Sequence, residues 1–153
     1  MNKYWKHFKL VMKHKYYVFM EMRRYGLYWQ GLTHDLSKFS PTEFRQAKYY
    51  SGTLSPISAE KRIHGYSISW LHHIHHNKHH WEYWYDVTSG KLAPIPEQYL
   101  TEMVCDIVAA SKAYNGKKWT PDMPIEYVQN NNAHPAELKK ILIPMLEKHL
   151  GGR

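Results

Sequence analysis

A chain of 153 residues with 43% apolar content is of single-domain size and can bury one sizeable core, so residues 1–153 are expected to form one domain. Lysine and arginine outnumber aspartate and glutamate by 21 to 13, a net charge of +8 that favours anionic partners: nucleotides, nucleic acid or phosphorylated small molecules. The lone Cys105 excludes an intrachain disulfide framework and a cysteine-rich zinc site, and neither a long apolar run nor an apolar leader after Met1 is present, so a soluble cytoplasmic protein is expected.

Twelve histidines, six tryptophans and thirteen tyrosines exceed what packing requires, and such side chains need polar partners when buried. From Trp5 to Tyr25 no proline or glycine interrupts, and Phe8, Val11, Val18, Phe19 and Met22 recur at helical spacing up to Gly26. His14 falls three residues after Val11 and four before Val18, on the edge of that stripe and pointing inward; a core-edge histidine bonded to a carbonyl is the plain alternative to a ligand.

The stretch Gly31-Leu32-Thr33-His34-Asp35-Leu36-Ser37-Lys38 sets a histidine beside an aspartate in an apolar frame of Leu32 and Leu36, on a helix expected to run to Phe39. Burying an unpaired carboxylate is costly, and a divalent cation offsets that cost. The pair is therefore a candidate metal anchor; a surface dipeptide on a helix end is the plain alternative.

Ser40-Pro41-Thr42-Glu43 spells a capping box that opens a helix to about Tyr50, broken by Ser51-Gly52-Thr53. Ser55-Pro56 opens another in the same way, expected to continue through Ile63, Ile68, Trp70 and Leu71 into a histidine cluster. Residues 70–84 hold six of the twelve histidines, interleaved with Trp70, Trp81 and Trp84. Such a density of imidazoles either stays exposed or is held neutral by metal and its supporting partners. The pairs His72/His76 and His73/His76 share a helix face, Asn77 is expected to end the helix, and His79 and His80 to follow on the next turn.

A loop with Gly90, Pro94 and Pro96 precedes a helix whose apolar stripe is Tyr99, Leu100, Met103, Val104, Ile107, Ala110 and Tyr114, ending at Gly116. Asp106 lies among apolar neighbours with no basic residue close in sequence, and needs a partner from elsewhere unless it faces outward beside Glu102. Two shorter helices follow, from Pro124 to about Gln129 and from Pro135 to Leu150, the second with Leu138, Ile141, Leu142, Met145 and Leu146 inward and a kink at Pro144. No strand is expected. The reading is all-α, with six or seven helices.

The order His14, His34-Asp35, a histidine cluster, then Asp106 resembles the HD-domain superfamily of metal-dependent phosphohydrolases. More narrowly, the runs Gly31-Leu32-Thr33-His34-Asp35-Leu36-Ser37-Lys38-Phe39-Ser40-Pro41 and His73-Ile74-His75-His76-Asn77-Lys78-His79-His80-Trp81-Glu82-Tyr83-Trp84 are similar to those of an uncharacterised group of phage and bacterial proteins. The resemblance implies an HD-like helical bundle in which His14, His34, Asp35 and Asp106 bind one ion. It further implies that Asp35 bridges to a second ion held by His73, His79 and His80.

Imidazole and carboxylate ligands suit Mn, Fe, Co, Ni or Zn, and one or two such divalent ions are expected as cofactors. A coordinated water of lowered pKa attacking phosphorus gives hydrolysis of a nucleotide or related phosphate ester, with Asp35 and Lys38 as catalytic residues. Lys38, with Lys15 or Arg45, can neutralise phosphate oxygens, and Trp81, Tyr83 and Trp84 either stack a nucleobase or pin the cluster to the core. Two further readings remain: a di-iron oxygenase of the HD fold, and a basic helical protein that holds nucleic acid around a structural metal.

Overall fold

The computed structural model describes residues 2–52 and 54–151; Met1 of the leader reading and Thr53 of the expected break lie outside them. Among the described residues there are eight α-helices: α1 (Lys3–Met22), α2 (Tyr28–Thr33), α3 (Pro41–Phe44), α4 (Pro56–His64), α5 (Ile68–His76), α6 (Glu97–Asn115), α7 (Asp122–Asn130) and α8 (Ala136–Gly151). The fold is all-α, as expected, with one helix more than the expected range. A small hairpin pairs β1 (Tyr85–Asp86) with β2 (Lys91–Leu92) antiparallel, which corrects the expectation of no strand. No described helix is long and apolar enough to cross a membrane.

α1 buries His7, Val11, His14, Val18 and Met22, a stripe at three- and four-residue spacing. It ends in a 3₁₀ turn closed by Gly26 at φ 73°. Its C-terminal half packs on α6, where Val18 and Met22 meet Cys105 and Ala109. On another face of α6, Met103, Val104 and Val108 join Val128 of α7 and Leu138, Leu142, Leu146 and Leu150 of α8 in the larger core. α6 is thus covered on two faces, which is why its buried set is wider than a single stripe. Tyr114 is exposed all the same, and so is Ile141 on α8, both expected inside.

Two expected helices are broken. The helix drawn through Leu32 to Phe39 stops at Thr33: His34 is extended, Asp35 is left-handed at φ 55°, and a 3₁₀ turn follows over Leu36–Phe39. The reversal turns His34 and Asp35 inward and leaves Leu32 and Leu36 half exposed, so those leucines do not frame the pair. The helix drawn from Pro56 into the histidine cluster is interrupted at Gly65, φ 81°, and restarts behind Ser67, whose hydroxyl accepts the Trp70 N–H. α2 can seat on α1 because Gly31 has no side chain: a Cβ there would lie 3.3 Å from Met22 Cβ and 3.4 Å from Phe19 Cα.

The junction of α1, α6 and α8 is tied by a buried carboxylate. Glu21 accepts from Lys112 and from Arg24 (3.1 Å), and meets His149 Nε2 at 2.9 Å, while His149 Nδ1 lies 2.6 Å from the Tyr25 hydroxyl. Burial raises the Glu21 pKa, but the bonds to His149 and Lys112 outweigh it and bring it down to about 2. The folded pKa lies below the ordinary 4.5, so this stabilisation is complete above about pH 4.5 and is lost as the pH falls toward 2. Urea unfolding followed from pH 6 downward should show the wild type losing on the order of 3 kcal/mol more than Glu21→Gln. Parallel curves for the two proteins would remove Glu21 from this role.

Candidate metal centre

Five segments converge beneath the α1–α6 pair. α1 supplies His14, the turn after α2 supplies His34 and Asp35, α5 supplies His73, the loop after α5 supplies His79 and His80, and α6 supplies Glu102 and Asp106. Asp35, His34, His73 and His79 are almost fully buried, and His14 nearly so. Their donor atoms form three groups, each with atoms within 4.8 Å of one another: His14, His34, Asp35 and Asp106; Asp35, His73, His79 and His80; and His34, His79 and Glu102. Any of them could hold a metal ion.

Asp35 belongs to the first two, and its two oxygens divide between them. Oδ2 lies 3.7 Å from His14 Nε2 and 3.2 Å from His34 Nε2, while Asp106 Oδ1 sits 2.9 Å and 3.3 Å from the same two nitrogens. Oδ1 lies 3.3 Å from both His73 Nε2 and His79 Nε2. The left-handed backbone aims the carboxylate in this way, and Asp35 is the one non-glycine residue with positive φ among the described residues. Such a conformation costs on the order of 1 kcal/mol, and asparagine and aspartate are among the few side chains that adopt it.

Three of the imidazoles are held by their outer nitrogens. Glu102 Oε1 meets His34 Nδ1 at 2.8 Å and His79 Nδ1 at 3.2 Å, and Glu43 Oε2 meets His73 Nδ1 at 2.8 Å. With those nitrogens donating, each Nε2 presents a lone pair to the interior. His14, His34, His79 and His80 Nε2 and Asp35 Oδ1 are buried without a hydrogen-bond partner. Leaving one buried acceptor unsatisfied costs about 1–3 kcal/mol, so convergent orphan lone pairs of this kind fit cations.

Opposing effects set the local charges. Burial works against an imidazolium at His34, but Asp35, Asp106 and Glu102 outweigh it and raise its pKa well above the usual value. Burial likewise disfavours the Asp35 carboxylate, and the positive charges of His34, Lys38 and His73 still hold its pKa well below normal. His80 goes the other way, pushed well down by burial and then by His79 and His73. The centre is a place where positive charge is strongly favoured, and protons occupy that role when cations do not.

Lys38 donates to Asp35 Oδ2 at 2.5 Å and lines a cavity beside His14, His73 and Asp106. Trp81 lines a second hollow of about 400 Å³ with His79, His80 and Asp106. Trp84 is placed differently: its indole N–H donates to the Lys78 carbonyl and its ring packs on Tyr99, bracing the loop. Lys15 donates to the Leu32 and His34 carbonyls, closing the end of α2 rather than facing a ligand, and Arg45 is exposed. His72 bonds Glu43 and stacks on His76, so that expected pair does share a face, but among the described residues neither falls in a donor group that could hold a metal.

Glu102 and Glu43 were not singled out by sequence as site residues. Glu102 lies one helical turn before Asp106, which places it on the same face. Glu43 occupies the third position of the Ser40 capping box. Ser40 does accept the Glu43 N–H, but the Glu43 carboxylate turns to the histidines instead of back to the cap.

Fold and site together define an all-α protein with a buried histidine and carboxylate cluster that could hold metal. The chain belongs to DUF5662, a family of unknown function, whose model matches residues 3–148. No curated protein and no solved structure matches it significantly.

If Glu102 holds the imidazoles, Glu102→Ala should weaken Zn²⁺ or Mn²⁺ loading by roughly 10- to 100-fold in competition with a chromogenic chelator. Glu97→Ala, at the exposed start of α6, should leave it unchanged.

Proposed function

We propose that the protein is a metal-dependent phosphohydrolase of the HD type, acting on a nucleotide or related phosphate ester. The observation that carries this reading is the shared Asp35: one carboxylate with an oxygen toward each of two donor groups, and the Lys38 ammonium against it. His14, His34, Asp35 and Asp106 would hold one ion, and Asp35, His73, His79 and His80 the other. The donors are imidazole and carboxylate without thiolate, which suits Mn, Fe, Co, Ni or Zn. Divalent ions bound there would acidify water and polarise a phosphoryl oxygen.

The chain's own residues account for the rest. Lys38 points its charge where phosphate oxygens would enter, and a cation placed there favours the growing charge of phosphoryl transfer. Glu102 and Glu43 keep the imidazoles of His34, His79 and His73 oriented. Trp81 and Trp70 wall the hollow beside His80 and limit access of bulk water. Trp81 also offers a ring face on which an aromatic ligand group can stack.

Protein purified without chelator should carry about two equivalents of transition metal, read by elemental analysis, and Asp35→Ala should lose both. Lys38→Met should keep the metal and lower kcat/KM on phosphate esters by about 100-fold. Metal-loaded protein that turns over no phosphate ester would overturn the reading.

A further inference from the structure

A cavity of about 270 Å³ leads away from the centre along α1, from Lys38 and His14 toward His7. His7 is two helical turns from His14 on the same face, so about 10 Å separates them along the axis at 1.5 Å per residue. Val11, Ile57 and Trp70 give the lining apolar surface, and Ser55, Tyr114 and Tyr127 also stand on it. At the far end His7 and Gln46, 4% and 2% exposed, both face the cavity.

Neither has the partners that burial demands. Both ring nitrogens of His7 and Oε1 of Gln46 are buried without a hydrogen bond. The His7 ring touches only the edges and faces of Phe44 and Tyr50 among its ring contacts. Burial, aided by the Lys38 charge, pushes the His7 pKa down to about 4, so near neutral pH the ring offers one N–H and one lone pair. Three orphan polar atoms at the end of the channel are a costly arrangement in a protein that does nothing with them.

We propose that this cavity receives the organic part of the ligand, and that His7 and Gln46 are specificity-determining residues reading an uncharged group that both donates and accepts hydrogen bonds, such as a carboxamide. The inference rests on the phosphohydrolase reading only in taking that group to be the alcohol part of the ester. With phosphate at Lys38 and the centre, the reading groups lie one small ring's reach away. A cationic terminus is disfavoured there, since the Lys38 charge in the same lining acts on His7 and would act on it too. A purely apolar terminus would leave the three polar atoms unsatisfied, and sites of that kind discriminate strongly against it.

The probe is benzamide, with ethylbenzene as its apolar counterpart, titrated into full-length protein labelled with ¹⁵N in histidine. Benzamide should shift the His7 ring resonances, and His7→Phe and Gln46→Leu should each weaken its Kd by at least about tenfold. His7→Asn, which keeps a donor and an acceptor, should stay within about threefold of wild type. Ethylbenzene should not distinguish wild type from His7→Phe. Should His7→Phe fail to fold, Gln46→Leu and His7→Asn carry the comparison. An unmoved His7 resonance, or equal benzamide affinity in wild type and Gln46→Leu, overturns the proposal. Ester turnover is measured separately: benzamide binding without turnover supports the pocket and overturns the phosphohydrolase reading, and turnover without benzamide binding does the reverse.

Discussion

One carboxylate facing two ways is the constraint on which the site depends. Asp35 can place an oxygen toward His14 and His34 and the other toward His73 and His79 only because the chain reverses at that residue. A continuous helix would send His34 and Asp35 in directions 100° apart, with only one able to face the interior. The left-handed turn brings both inside and turns the neighbouring leucines out. Its local strain is offset by what surrounds it: Lys15 closes the carbonyls before the turn, Gly31 lets α2 seat on α1, and Lys38 fastens the carboxylate itself.

Around that turn the protein separates packing from chemistry by helix face. α6 gives Cys105 and Ala109 to α1, gives Val104 and Val108 to α7 and α8, and keeps Glu102 and Asp106 for the histidines. The carboxylates are thereby set on a helix that is fixed on two other sides. The imidazoles of His34, His73 and His79 gain the same rigidity from Glu43 and Glu102, so the orientation of those three rings does not depend on a bound ion. On the phosphohydrolase reading, this is a preorganised site whose ligands need little rearrangement.

Much of this was legible in the residues themselves. His14 stood out because it interrupts an apolar stripe at the right spacing, and Asp106 because it lies in an apolar run with no local partner. The all-α class followed from periodicity and from two Ser-Pro helix starts, both of which the structure contains. What failed did so for a common reason: helical spacing rules assume the helix continues. They carried one helix through His34 and Asp35, where it has already stopped at Thr33, and another through left-handed Gly65, which ends it. Glu43 and Glu102 were hidden differently, since an acidic residue on an amphipathic helix reads as solvated until a distant segment supplies its partner. His7 and Gln46 carry no sequence signal at all, because orphan status is a property of the assembled cavity.

The separation of faces on α6 also bears on how far a substitution can reach. The contacts of Val18 and Met22 with Cys105 and Ala109 involve neither His34 nor the residues after α5. The turn at Asp35 and the loop carrying His79 and His80 instead bring several buried polar groups together, each depending on the others. The two kinds of contact sit on separate faces of one helix, so the histidine and carboxylate set can vary in its side chains without disturbing the apolar seam that carries it.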